Sequence, residues 1–378
     1  MNNYILVTGG AGFIGSHLIP KLLKKGFKVC VLDTLSPQIH GLIPSNLQWL
    51  NNDIKFIRGS VSSRRDWERA LQNIDMVVHL AAETGTGQSM YEIAHYNEIN
   101  TQSTALMFDV LQRMTNSRVK RILLASSRSV YGEGAYECIS CNYLRVYPKS
   151  RDMAQLKKSE WELKCPHCTI TIYPVATKES DLVLPASIYA ATKYAQEDLV
   201  RIGSETLGIE YITYRFQNVY GEGQSLNNPY TGILSIFSTK IRLDTVLPLF
   251  EDGQESRDFV HVDDVTDALL CGLIIDKAPN TVINVGSGIA TSVKDIAMKL
   301  ANALNKNSNI EVTGQSRLGD IRHNFADIQR LKDYFQFQPQ ITIDVGLKRF
   351  AAWVENQSIP VDKAEEANTE LRKLKLMS

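Results

Sequence analysis

The strongest constraint on this chain is TGGAGFIG, residues 8–15, set between an apolar run and a helical pattern. Tyr4 to Thr8 has the length and character of a buried strand, and Leu18, Leu22 and Leu23 recur at helical spacing just beyond it. Strand, glycine turn and helix in that order let the chain turn tightly and bring bare backbone against a pyrophosphate. They also aim a helix N-terminus at its negative charge. Gly9, Gly12, Phe13, Ile14 and Gly15 are therefore candidate dinucleotide contacts. A purely structural glycine turn is the alternative, and the flanking strand and helix weigh against it. A second strand, Lys28 to Leu32, ends at Asp33, whose carboxylate can accept hydrogen bonds from an adenosine ribose. No Arg or Lys follows immediately to receive a 2′-phosphate, which favours NAD over NADP.

The alternation continues through a strand at Lys55 to Ile57, a helix near Arg64 to Leu71, a strand at Met76 to Leu80, a long helix from about Met90 to Met114, and a strand at Arg121 to Ala125. Repeated β-then-α order predicts an α/β fold, a Rossmann-type doubly wound parallel sheet with ligands at the carboxyl ends of its strands. Those ends carry Leu80, Ala81, Ala82 and Glu83 in LAAE, and Ser126 to Gly132 in SSRSVYG. Small residues there let a dinucleotide lie close to the sheet, although each alanine could equally serve packing. Lys plus Arg equals Asp plus Glu at 41 each, so no overall field draws in nucleic acid or membrane, and an anionic ligand must be held by local groups. MNNYILVTGG enters the first strand without a charged leader, and no apolar run approaches a membrane span, so a soluble cytoplasmic protein is expected.

Tyr189 and Lys193, in SIYAATKYAQEDLV, fall on one face of a helix. A lysine ammonium there would lower the phenol pKa from its ordinary value of roughly 10, making it a usable acid/base. By spacing alone a structural helix pair is the default. VYGEG occurs twice, at Val130 and Val219, each time after a strand-like run, which reads as shared strand-end geometry rather than a repeated domain.

TGGAGFIG, HLAA, SSRSVYG and YAATK, in this order, resemble the extended short-chain dehydrogenase/reductases of the nucleotide-sugar epimerase and dehydratase type over roughly residues 4–355. The resemblance implies NAD as cofactor and a nucleotide sugar as substrate. It makes Tyr189 the proton shuttle and Lys193 the group that tunes it. Ser127 then holds the sugar hydroxyl, with Ser126 the neighbour most easily confused with it. Ser60, Val61, Leu80, Ala81, Ala82, Asn100 and Ser126 join the glycine turn and Asp33 as implied cofactor contacts, Asn100 from the long helix behind the active site, where a helix-kinking or water-binding amide is the compatible structural reading. Glu83, Arg128, Asn218, Arg257 and Arg322 are implied on the substrate side, the last two at a diphosphate, with a surface ion pair the alternative for either, and Arg215 is implied near them. Two positions depart from the family pattern. Dehydratases usually carry an Asp followed by a Glu where this chain has Arg128 and Ser129, which favours epimerisation. Ser60 stands where an Asp commonly recognises adenine. A 4-ketosugar reductase or dehydratase, and a non-catalytic NAD-binding sensor, are the competing readings.

Cys138, Cys141, Cys165 and Cys168 form two C-x-x-C knuckles separated by 23 residues, the spacing of a zinc ribbon. One structural Zn2+ held by all four is expected, with a redox dithiol the rival and His167 a bystander. Cys30 and Cys271 sit in apolar runs and read as core. The expected organisation is a dinucleotide-binding domain over 1–227 with a cysteine insertion at 135–180. A mainly substrate-binding lobe follows over 228–357, some of it returning to the main domain, and then a peripheral tail over 358–378. The insertion, together with AAETGTGQSMYE, resembles the branch of the family that epimerises dTDP-L-rhamnose, which implies a dTDP-linked 6-deoxyhexose. Apolar excess on the helices from about Met90 and Ile188 suggests a homodimer.

Overall fold

The computed structural model describes residues 3–40, 54–226, 232–307, 309–317, 319–360, 364–374 and 376–377. Its centre is a seven-stranded sheet of β1 (Tyr4–Thr8), β2 (Lys28–Asp33), β3 (Ile54–Arg58), β4 (Met76–His79), β5 (Arg121–Ser127), β6 (Glu210–Phe216) and β7 (Thr281–Val285), in the order β7-β6-β5-β4-β1-β2-β3. Every neighbouring pair is parallel. Val7 lies opposite Val31 on one side and Val78 on the other, so β1 is central. Connections run outward from β1 to β3 and then restart at β4, and this reversal opens a crevice at the carboxyl ends of β1 and β4.

Alternation along the strands feeds two cores. Ile5, Val7, Val29 and Val31 meet Leu18, Ile19 and Leu22 of helix α1 (Phe13–Lys24) on one face. Leu6, Cys30 and Leu32 meet Trp67, Met107, Leu111 and Val200 on the other. Cys271, expected in the core, is only half-buried.

The long helix expected from Met90 to Met114 is broken. Ile93–Tyr96 leads into a π-helical stretch, Asn97–Gln102, and only then into α2 (Ser103–Arg113). A π turn inserts one residue into the helical ladder and so turns a side chain to a new direction. That side chain is Asn100, fully buried, whose amide bonds the backbone of Glu83.

Beyond Tyr131 the chain leaves the sheet. Tyr136–Cys138, Tyr143–Val146 and Tyr173–Pro174 form a small antiparallel sheet with its own core of Tyr136, Val146, Leu163 and Ile172. It returns at α3 (Ile188–Leu207), which Ser187 caps and Gly208 terminates in the left-handed conformation. A second lobe packs Leu234, Phe237, Phe259, Ile296, Leu300, Leu347 and Phe350 around a third core. Chain from this region returns to the main sheet as β7. The expected 227/228 boundary lies outside the described residues. Ala364–Lys373 is helical, with Leu371 buried. No helix among the described residues is long and apolar enough to cross a membrane.

Candidate active site

A cavity of about 510 Å3 opens at the crevice. Its lining includes Gly9, Gly12, Phe13, Ile14, Gly15 and Asp33 from the first βαβ unit, and Ser60 and Val61 after β3. Leu80, Ala81, Ala82 and Glu83 follow β4, Ser126, Ser127 and Arg128 follow β5, Tyr189 and Lys193 come from α3, and Asn218 comes from beyond β6. Gly9 has φ +65°, and a Cβ there would stand 2.7 Å from the Ala81 amide nitrogen, so the turn accepts only glycine. α1 begins after Gly12 with no side-chain cap and no acidic residue in its first turn, leaving its first N–H groups for an anion. Asp33 braces this turn: Oδ2 accepts from Ala11 N at 3.0 Å and Oδ1 from Leu35 N at 2.8 Å. Each oxygen retains a lone pair for a ribose hydroxyl. A bare-backbone cradle with a carboxylate beside it fits a dinucleotide.

Behind the turn lies a buried polar chain that sequence reasoning did not single out. Thr8 Oγ1 meets His79 Nδ1 at 2.7 Å, His79 Nε2 meets Thr104 Oγ1 at 3.1 Å, and Ala81 N donates to Thr8 Oγ1. Burial, with Lys193 nearby, pushes His79 down to about 3, so the imidazole is neutral and acts as a spacer.

At the other end, Tyr189 sits in the first turn of α3, its backbone N–H held by Ser89 Oγ at 3.0 Å and its ring edge-on to Tyr96. Burial raises the phenol above its ordinary value, while a hydrogen bond with Ser127 and the charge of Arg128 pull it back. Ser127 Oγ accepts from Ser129 N and Ser129 Oγ, which orients it. Lys193 differs from expectation. Its ammonium donates to Ala125 O at 2.9 Å, and burial takes it down to about 7. Arg128, at the position where the resemblance puts a carboxylate in dehydratases, adds a charge that lowers the Tyr189 phenol. Arg128 Nη1 is buried with no partner, and burial beside Arg257 lowers the guanidinium to about 9.

Four residues implied by resemblance lie outside the cavity lining. Asn100 does not line the cavity: it accepts from Glu83 N at 2.9 Å and donates to Glu83 O and Thr192 Oγ1, positioning the wall rather than touching the pocket. Arg322 also lies outside the lining, and all five of its N–H donors are taken, by Glu162, Glu251 and Asp252, leaving none for a diphosphate. Arg257 lies behind Arg128 with Nη1 on the carbonyls of Ser256 and Arg322. Arg215, expected near the substrate, is a buried partner of Glu197 at 2.7 Å. Glu197, four residues beyond Lys193 on the same helix face, also accepts from Ser126 Oγ, so Ser126 is structurally engaged while Ser127 faces Tyr189. The i, i+4 step from Lys193 was the available signal for Glu197.

The four knuckle cysteines converge, their sulfurs all within 4.8 Å of one another. Cys141 N and His167 N donate to the Cys138 and Cys165 sulfurs, and the His167 ring turns to Tyr143.

Fold and site together define a class: the chain belongs to the NAD dependent epimerase/dehydratase family, whose model matches residues 5–152 and 168–286, and it is an NAD-dependent nucleotide-sugar epimerase. A dTDP-L-rhamnose 4-epimerase of Burkholderia thailandensis is 36% identical over 355 residues, which span 93% of this chain and 95% of that protein. Among solved structures, the UDP-glucuronic acid 4-epimerase of Bacillus cereus, in complex with UDP-glucuronic acid and NAD, superposes with a TM-score of 0.76 at 26% identity, covering 93% of this chain and 99% of that one. The dTDP-glucose 4,6-dehydratase DesIV of Streptomyces venezuelae, with NAD bound, reaches 0.75 at 25%, covering 93% and 97%. Fold alone therefore does not separate epimerase from dehydratase.

Proposed function

We propose that this protein inverts C4 of a nucleotide sugar, most specifically interconverting dTDP-L-rhamnose and dTDP-6-deoxy-L-talose. The carrying observation is the pair Arg128 and Ser129 between Ser127 and Tyr131. Among the described lining residues the only carboxylates are Asp33, at the glycine turn, and Glu83. No acid and base pair flanks Ser127 to expel a hydroxyl, so the chemistry stops at proton and hydride exchange. The choice of rhamnose rests on the 36% identical relative.

Gly9, Gly12, Phe13, Ile14 and Gly15 would hold the NAD pyrophosphate, Asp33 the adenosine ribose, and Ser60 and Val61 the adenine. Leu80, Ala81, Ala82 and Ser126 would border the rest. Bound NAD would supply a hydride acceptor that returns what it takes. The Tyr189 phenolate oxygen accepts the proton of the C4 hydroxyl and later gives it back. Ser127 holds that hydroxyl in line by donating to it. Arg128, its guanidinium buried at the cavity wall, would stabilise the phenolate from a site where charge acts strongly. Lys193, fixed on Ala125 O, would offer its remaining N–H groups to the bound cofactor. Because NAD would give back the hydride it takes, the inversion would leave no net redox change.

Purified protein incubated with dTDP-L-rhamnose and followed by the C4 proton in NMR should give the talose isomer without accumulating NADH. A keto product, or no isomer from a panel of nucleotide sugars, would reject the reading. We further assign a homodimer through the helices carrying Ile93, Tyr194 and Ile202, which are 52%, 38% and 52% exposed. Light scattering should give twice the chain mass, and Ile202→Asp should shift it towards one.

A further inference from the structure

The epimerase chemistry makes no use of the cysteine module, although the chain spends a long excursion on it between Ser127 and Tyr189. Four ligands at about 2.3 Å from a tetrahedral zinc stand about 3.8 Å apart. The Cys138–Cys168 sulfurs are 3.6 Å apart and the Cys141–Cys165 sulfurs 4.0 Å, on either side of that value. These separations are far beyond a disulfide bond of about 2.05 Å. Each knuckle also carries the amide-to-sulfur bond that supports thiolate charge, from Cys141 N to Cys138 and from His167 N to Cys165. A redox dithiol works as a single reactive pair, whereas here four sulfurs converge and Cys138 and Cys165 are buried.

The chain between the knuckles does more than link them. Arg145 pairs with Asp181. Arg151 donates to Glu251 at 2.7 Å, and Glu162, three residues before Cys165, holds Arg322. Arg322 in turn binds Glu251 and Asp252 in the second lobe, and its backbone N–H donates to Glu133 at 2.7 Å. Glu133 follows the Ser127–Tyr131 turn directly. A partly buried set of charges, with Arg151, Arg322, Glu133 and Glu251 at its buried centre, thus connects the module, the second lobe and the Arg128 end of the cavity.

We propose that Cys138, Cys141, Cys165 and Cys168 bind one zinc ion as a closed tetrathiolate, and that this ion holds Arg151 and Glu162 in place against the substrate lobe. All four positions are protein thiolates, so the ion has no open site and carries out no chemistry. Its loss frees the segment from Cys138 to Cys168 and strands Arg322 and Glu251 as buried charges with fewer partners. The substrate end of the cavity then loosens, while the cofactor end, built on β1 to β4, does not depend on the module.

Metal analysis of the protein purified without chelators tests this independently of any activity. One zinc per chain is expected, and its titration with a mercurial should release one zinc as four thiols react. Cobalt substitution should give the intense visible bands of a tetrahedral tetrathiolate. Absence of zinc with all six thiols free, or a mass lower by two disulfides, would overturn the site. On metal removal, NAD binding should change less than twofold while nucleotide-sugar affinity falls at least tenfold. Unchanged sugar affinity after complete removal would overturn the coupling, whatever substrate the enzyme proves to prefer.

Discussion

Around Tyr189 two cations are at hand: Lys193 donates to the Ala125 carbonyl, and the charge of Arg128 lowers the phenol against the effect of its burial. Tyr189→Phe removes the proton acceptor and should lower kcat on the order of 10²–10⁴-fold, with NAD binding retained in a fluorescence titration. Arg128→Met should shift the acid limb of the kcat/KM profile to higher pH, since removing a cation raises the phenol pKa further. Arg128→Lys should restore part of that shift. An unmoved limb in Arg128→Met would mean that Arg128 serves substrate binding alone.

At the scale of elements, α3 acts as a ruler: Tyr189 and Lys193 meet the cavity, and Glu197 locks the helix to β6 through Arg215. Breaking such a buried pair from one side strands the other charge, so Glu197→Gln should cost about 3–5 kcal/mol in urea unfolding. The π turn at Asn97–Gln102 fixes the facing wall, and Asn100→Leu would leave the Glu83 amide and carbonyl unpaired, at about 1–3 kcal/mol each. The sheet strands were legible because apolar runs bounded by turn residues report burial directly; β1 matches its expected limits, Tyr4–Thr8. That Tyr189 and Lys193 share one face of α3 was legible through i, i+4 spacing. The π turn was not, because its extra residue is held by bonds to Glu83 and to Thr192, distant in sequence. Arg322 misled for the same reason: a guanidinium reads as an anion site until its partners, 70 and 160 residues away, are seen to fill it.

Across the whole molecule, charge is balanced by location rather than by sum. Where α1 meets the second lobe, Asp263 pairs with His17, Lys21 and Arg349, and Glu222 pairs with His261 and Arg349. Glu222, despite burial, is held at about 2 by hydrogen bonds from His261 and Arg349. The other VYGEG copy does the opposite: burial raises Glu133 to about 7 even with Arg151 close by. These shifts have opposite linkage. A depressed carboxylate contributes stability that is complete above its ordinary 4.5 and is lost as pH falls towards 2. A raised one contributes stability below 4.5 that is lost as pH rises through about 7. Urea unfolding of Glu222→Gln should therefore show a deficit against the natural chain at neutral pH that shrinks as pH falls below 4.5. Glu133→Gln, which keeps an acceptor for Arg322 N, should gain on the natural chain between pH 4.5 and 7 and run parallel to it below. Parallel profiles for all three proteins across pH 3–8 would mean that the two VYGEG glutamates share an environment as well as a sequence, contrary to their partners in the structure.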